Sequence, residues 1–164
     1  MDGFLLIDKP KDWTSFDVVA KVRGLIRQST GQKKPKVGHC GTLDPLATGL
    51  LIIVIGSYTK KASELSKKDK TYQVFMKLGE TSSTGDEEGE KEYISDNQPT
   101  KQEVEEVARG FVGDINQIPP AYSAVKVNGQ RAYKLARAGK DFKLEPRRVT
   151  IYEINNIDYH YPIV

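Results

Sequence analysis

A chain of 164 residues with 38% hydrophobic and 29% charged side chains holds enough apolar content for one ordinary core, and it is neither collagen-like nor low-complexity. No apolar run approaches the roughly 18 residues of a membrane span; the longest, Leu50 to Ile55, is strand-sized, and Met1-Asp2-Gly3-Phe4 lacks the basic start of a signal peptide. The net charge of +3 conceals blocks: residues 9–79 carry 14 Lys or Arg against 5 Asp or Glu, residues 80–106 carry 2 against 10, and residues 117–148 carry 8 against 2. Such blocks suit a polyanion or a solvated surface, and they are too dispersed for a single membrane-surface helix.

In chain order, Gly3 to Asp8 reads as a short buried strand stopped by Lys9-Pro10. Ser15 can cap a helix in which Val18, Val19, Val22, Leu25 and Ile26 recur at helical spacing. A lysine-rich loop from Gly31 to Lys36 follows, and Leu50 to Ile55 has the continuous apolar run of a strand buried on both faces. Tyr72, Val74, Met76 and Leu78 alternate with other residues at the period of a strand. Thr100-Lys101-Gln102-Glu103 is a capping box that opens a helix to Arg109, ended by Gly110. Asn128-Gly129 marks a tight hairpin turn, Arg131 to Ala138 a short helix closed by Gly139, and Val149 to Tyr159 a last strand. Dinucleotide, Walker, zinc and nucleophile-elbow patterns are absent, and no βαβ repeat appears. The expected class is α+β with a mainly antiparallel sheet flanked by helices and loops.

The segment from Val37 to Leu51 concentrates the chemistry. Three glycines bracket one carboxylate, Asp44, between two expected strands. Asp44 can be a nucleophile, a general base or a cation ligand. It can equally be a helix N-cap, with Pro45 at the first helical position and Gly49 just past the end. Cys40 cannot form an internal disulfide, so a reducing, cytoplasmic setting is expected. His39 and Cys40 are neighbours on an extended segment and point to opposite faces, which argues against a thiol nucleophile. Taken alone, His39 reads as a loop histidine and Tyr72 as a strand aromatic.

Longer motifs shift these readings. The run Gly38-His39-Cys40-Gly41-Thr42-Leu43-Asp44-Pro45-Leu46-Ala47-Thr48-Gly49-Leu50-Leu51 resembles the signature of bacterial tRNA pseudouridine-55 synthases of the TruB type. In the same order, Gly3 to Pro10 with Trp13-Thr14-Ser15 resembles the N-terminal motif of that family. Lys70-Thr71-Tyr72 with Leu78-Gly79-Glu80-Thr81 resembles its tyrosine motif, and Gln117 to Lys126 with Gly129, Arg131, Tyr133, Ala136 and Arg137 its thumb-like RNA-binding segment.

The resemblance implies the pseudouridine synthase catalytic fold, with residues 1–164 as one catalytic domain and a thumb-like segment over 117–148. It implies isomerisation of uridine 55 in the tRNA T loop by a monomer that needs no cofactor and no metal. Asp44 would act on the sugar at C1′, as nucleophile or as base in an elimination route. Tyr72 would stack on the flipped uracil and His39 would contact the RNA at the pocket mouth. Lys126, Arg131, Lys134, Arg137, Arg147 and Arg148 would meet phosphates. Lys9 and Pro10 would brace the active-site loop.

Two departures stand out. Asp12 replaces the family's usual glycine, and no Ser-Lys-Gly-Thr-Tyr-Ile-Arg-like strand motif occurs. In the family that arginine pairs with the aspartate, and the tyrosine and a later leucine line the uracil pocket. The expectation is therefore a chain truncated at its C-terminus, without a C-terminal RNA-binding domain and with an apolar sheet edge exposed. The alternative function is a non-catalytic tRNA-binding or folding module.

Overall fold

The computed structural model describes residues 1–164, which divide into two compact units, Met1–Tyr72 and Gln73–Val164. The first unit is built on β1 (Gly3–Lys9), α1 (Ser15–Thr30), β2 (Val37–His39) and β3 (Gly49–Ile55), followed by a 3-10 helix over Gly56–Lys61 and α2 (Ala62–Leu65). The three strands form an antiparallel sheet in the order β1-β3-β2. Its register sets Ile7 opposite Leu51, Leu5 opposite Ile53 and Val37 opposite Ile55. Val18, Val19, Val22 and Ile26 of α1 join Val37, Leu51, Ile53 and Ile55 in one core cluster. Burial of that apolar stripe, at about 1.5–3 kcal/mol per side chain, holds the unit together.

Four expectations change here. The first strand is an edge with one neighbouring strand, and Leu6, on the face away from the α1 core, is 64% exposed. Leu25 is exposed rather than part of the core. The helix is capped by Thr14: its side chain accepts from the Asp17 amide while Asp17 accepts from the Thr14 amide at 2.8 Å. Ser15 becomes the first helical residue, which frees its hydroxyl. The burial expected of β3 holds for Leu51 and Ile53 to Ile55 but not for Leu50.

The second unit consists of β4 (Glu80–Ser82), β5 (Lys91–Tyr93), α3 (Lys101–Arg109), β6 (Gly113–Gln117), β7 (Lys126–Val127), β8 (Gln130–Arg131), α4 (Ala132–Arg137) and β9 (Arg147–Ile151). Three two-stranded antiparallel sheets pair β4 with β5, β6 with β9, and β7 with β8. The α3 capping box forms as expected, with Thr100 and Glu103 bonding reciprocally. Asn128 and Gly129 both take positive φ, 49° and 83°, the conformation a two-residue hairpin turn demands. Gly139 takes φ 61° just past α4.

The strand expected over residues 72–78 does not form as one. Only its end is held, by Met76 and Val164 exchanging backbone bonds and by Leu78 donating to Pro162. Tyr72, Val74 and Phe75 remain exposed, because an alternating pattern becomes a strand only where a partner edge exists. The last strand stops at Ile151, opposite Gly113 where its antiparallel partner β6 begins, instead of running to Tyr159. All pairings are antiparallel, so the α+β class stands, distributed over four small sheets.

Candidate active site

Residues 40–48 connect β2 to β3 and carry Asp44. They form no helix. One turn closes, from the Ala47 amide to the Asp44 carbonyl at 3.0 Å, and Gly49 opens β3 at φ 119°. The helix-cap reading of Asp44 is thereby removed. Its carboxyl group is exposed and takes part in none of the chain's ion pairs.

The residues on either side of Asp44 are tied down. Ser15 Oγ accepts from the Leu43 amide at 2.9 Å and donates to the Leu43 carbonyl at 3.2 Å. On the other side, the Pro45 carbonyl accepts from the Asp12 amide at 2.8 Å and from Lys9 Nζ at 3.2 Å. Lys9 is fully buried and also donates to the carbonyls of Trp13 at 2.6 Å and Pro10 at 3.0 Å. A buried ammonium survives only when its three protons find acceptors, and here all three do.

The turn from Lys9 to Ser15 thus acts as a template for the Asp44 loop. Asp12 stands in that turn at φ 67°, the left-handed region where glycine is at home and aspartate is tolerated. That geometry explains why glycine suits the position. Lys9 was anticipated as a brace from its motif. Ser15 was not, because a serine at a helix start reads as a cap until the opposing backbone is seen.

His39 ends β2 opposite Ile53 and is half-buried; its Nδ1 is shielded and has no hydrogen-bond partner. Cys40 is buried, and burial pushes its thiol above the ordinary value, which leaves it a protonated and weak nucleophile. Tyr72 is 65% exposed beyond α2, with no hydrogen bond or ring contact to the loop.

The thumb-like residues lie in the second unit. Lys126 and Arg131 face each other across the β7–β8 hairpin, and Lys134 and Arg137 lie on α4. Arg131 donates to the Ala124 carbonyl, and the Arg137 guanidinium lies 5.8 Å from the Tyr133 ring centre. Arg148 is occupied by Asp114 across the β6–β9 ladder, so it is a poorer phosphate donor than its charge suggests. No group of His, Cys, Asp and Glu side chains has the arrangement of a metal site. No helix is long and apolar enough to cross a membrane.

The fold is that of the pseudouridine synthase catalytic domain, and in it Asp44 is a lone carboxylate on a loop pinned at both shoulders between two strands of an antiparallel sheet. The crystal structure of a Cbf5-Nop10-Gar1 complex superposes with a TM-score of 0.60, covering 98% of this chain and 37% of that one; at 21% identity this is a likeness of fold. The chain is a member of the TruB family of pseudouridylate synthases, with residues 27–164 matching the family's N-terminal domain.

Among its relatives is the tRNA pseudouridine synthase B of Dechloromonas aromatica, 46% identical over 159 residues, covering 97% of this chain and 51% of the relative. That of Clostridium kluyveri is 43% identical over 164 residues, covering 100% and 55%. That of Parabacteroides distasonis is 44% identical over 161 residues, covering 98% and 68%. The chain spans about half the length of most of the curated relatives it matches.

Proposed function

We propose that this chain carries the catalytic core of a tRNA pseudouridine synthase acting on uridine 55 of the T loop, with Asp44 as nucleophile. The observation that supports this most is the pinning of Leu43 and Pro45 while the carboxylate between them stays unbonded. A residue held in place by its neighbours and left with a free functional group is preorganised for a substrate rather than for the fold.

In this reading the Asp44 carboxylate attacks C1′ of the flipped uridine. The C1′–N1 bond breaks and its electron pair leaves with uracil as a delocalised anion. Uracil turns to present C5, which attacks C1′ and releases the carboxylate. The proton at C5 is then lost while N1 takes one up, so the reaction is a balanced isomerisation. His39 supports the flipped nucleotide at the pocket mouth, and Tyr72 stacks on the base. Lys126, Arg131, Lys134 and Arg137 meet phosphates and set the register of the RNA.

The test is tritium release from C5-labelled uridine in a T stem-loop RNA. Release is expected from the wild-type chain and should fall to background in Asp44→Asn, with RNA affinity changed less than about threefold because phosphate contacts supply most of it. Equal loss of binding and release would instead make Asp44 a structural residue. A second reading, a non-catalytic tRNA-binding or folding module, is favoured by the absence of any cation paired with Asp44. Binding without release, in wild type and variant alike, would select it.

A further inference from the structure

Between Asp17 and Glu64 the chain contains a single acidic residue, Asp44, against eight Lys and Arg. The fold gathers two runs of these cations at one end of the sheet. Val37 pairs with Ile55, and the Gly56 amide donates to the Lys36 carbonyl at 2.8 Å. Lys36 is thereby held at the start of the 3-10 helix that carries Lys60 and Lys61, and Lys34 and Lys33 lie two and three residues before Lys36 in the loop that leads into β2. All five are exposed.

Nothing in the chain neutralises them as partners. The six ion pairs all lie between Lys77 and His160. Of the carboxylates close by in the chain or the fold, Asp2 accepts from the Ser57 amide, and Glu64 on α2 forms no ion pair with Lys60 or Lys61. The Lys61 ammonium sits 4.9 Å from the Tyr58 ring, and that ring packs edge-on against Phe4 at 4.6 Å. Five like charges held together repel one another, and a polyanion relieves that repulsion.

We infer that this end of the β1-β3-β2 sheet is a phosphate-backbone platform that grips the helical stem of the RNA substrate; the inference rests on the reading of the chain as an RNA-modifying enzyme. β3 runs seven residues from Gly49, beside the Asp44 loop, to Ile55, beside the platform. At ~3.3 Å per residue the two are separated by about 20 Å. That distance exceeds one flipped nucleotide and reaches into the duplex next to it. Lysines are flexible point charges, so the platform sets register and affinity and does not read sequence.

The test compares the wild-type chain with Lys33→Gln/Lys34→Gln/Lys60→Gln/Lys61→Gln, using a stem-loop RNA with a long stem and one cut to a few base pairs. Affinity is measured across a salt series. On the long stem the variant should lose at least about tenfold in affinity, and its log–log salt slope should flatten by roughly 2 to 3, at about 0.7–0.9 per phosphate contact. On the short stem the two proteins should bind alike.

An unchanged slope on the long stem overturns the platform while leaving the enzymatic reading intact. Absence of salt-dependent RNA binding by the wild-type chain overturns both. If the fourfold variant does not melt as the wild type does, the Lys33/Lys34 and Lys60/Lys61 pairs are tested separately, and each should flatten the slope by about half as much. Unchanged RNA binding with lost binding to phosphatidylserine vesicles would assign the platform to a lipid surface and overturn the RNA assignment.

Discussion

Asp44 and Lys9 divide the work of one small region. Lys9 spends its whole charge on three carbonyls, whereas Asp44 spends none of its own within the chain. Lys9→Met keeps the stem and removes the ammonium, leaving three carbonyls without their donor. That should cost about 3 kcal/mol, read as a lower urea midpoint at an unchanged slope; a loss under about 1 kcal/mol would mean that water replaces the ammonium freely. Cys40 marks the opposite case, a reactive atom type made inert by its surroundings. Its raised thiol pKa follows from burial, so Cys40→Ala should leave tritium release at the wild-type rate. A variant that binds RNA but releases nothing would bring the thiol back into the chemistry.

At the scale of elements, both long helices begin with the same device. The Thr14 hydroxyl and amide hold the Asp17 carboxyl below its ordinary value, and the Thr100 amide and hydroxyl do the same for Glu103. Because the folded pKa is the lower one, the unfolded chain takes up these protons first. The stabilisation is complete above the ordinary values, 3.8 for Asp17 and 4.5 for Glu103, and is lost progressively as the pH falls below them through the lower folded-state values. Denaturant midpoints should therefore drop below about pH 4.5, and the acid limb should be shallower in Asp17→Asn/Glu103→Gln. An unchanged limb would place acid sensitivity elsewhere. Gly129→Ala forces a Cβ into φ 83° at the β7–β8 turn. It should cost about 1 kcal/mol and reduce amide protection in that hairpin first.

Over the whole molecule the core is one-sided. Every residue of the buried apolar cluster lies between Val18 and Ile55, whereas Ala132 is the only fully buried hydrophobic residue after Tyr72. Val74, Phe75, Ile94, Val107 and Phe111 of the second unit are more than half exposed. Local stability follows buried apolar area, so the amides of α1 and β3 should exchange slowest and residues 73–164 should be cut first in limited proteolysis. Ile53→Ala, at a position with no exposed surface, should destabilise the first unit by about 3 kcal/mol. Uniform protection across both units would refute this polarity.

Local chemistry was legible in the residues themselves. The Thr100–Glu103 cap, the Asn128-Gly129 turn, α1 and β3 depend on neighbours within a few positions, and each formed where the pattern placed it. The concentration of glycine around one aspartate was equally plain, and the motifs around it carried the family. What needed a distant partner could not be read this way. The 72–78 segment alternates like a strand yet lacks a pairing edge along most of its length, and β9 ends opposite the residue where β6 begins. Whether Asp44 caps a helix or stands free was settled by Ser15 and Lys9, which are 28 and 36 residues from the backbone they grip. The sequence by itself determined which residues could do chemistry and which turns could close; the tertiary structure decided which carboxylate was left free, because only packing at long sequence separation can occupy its neighbours and not itself.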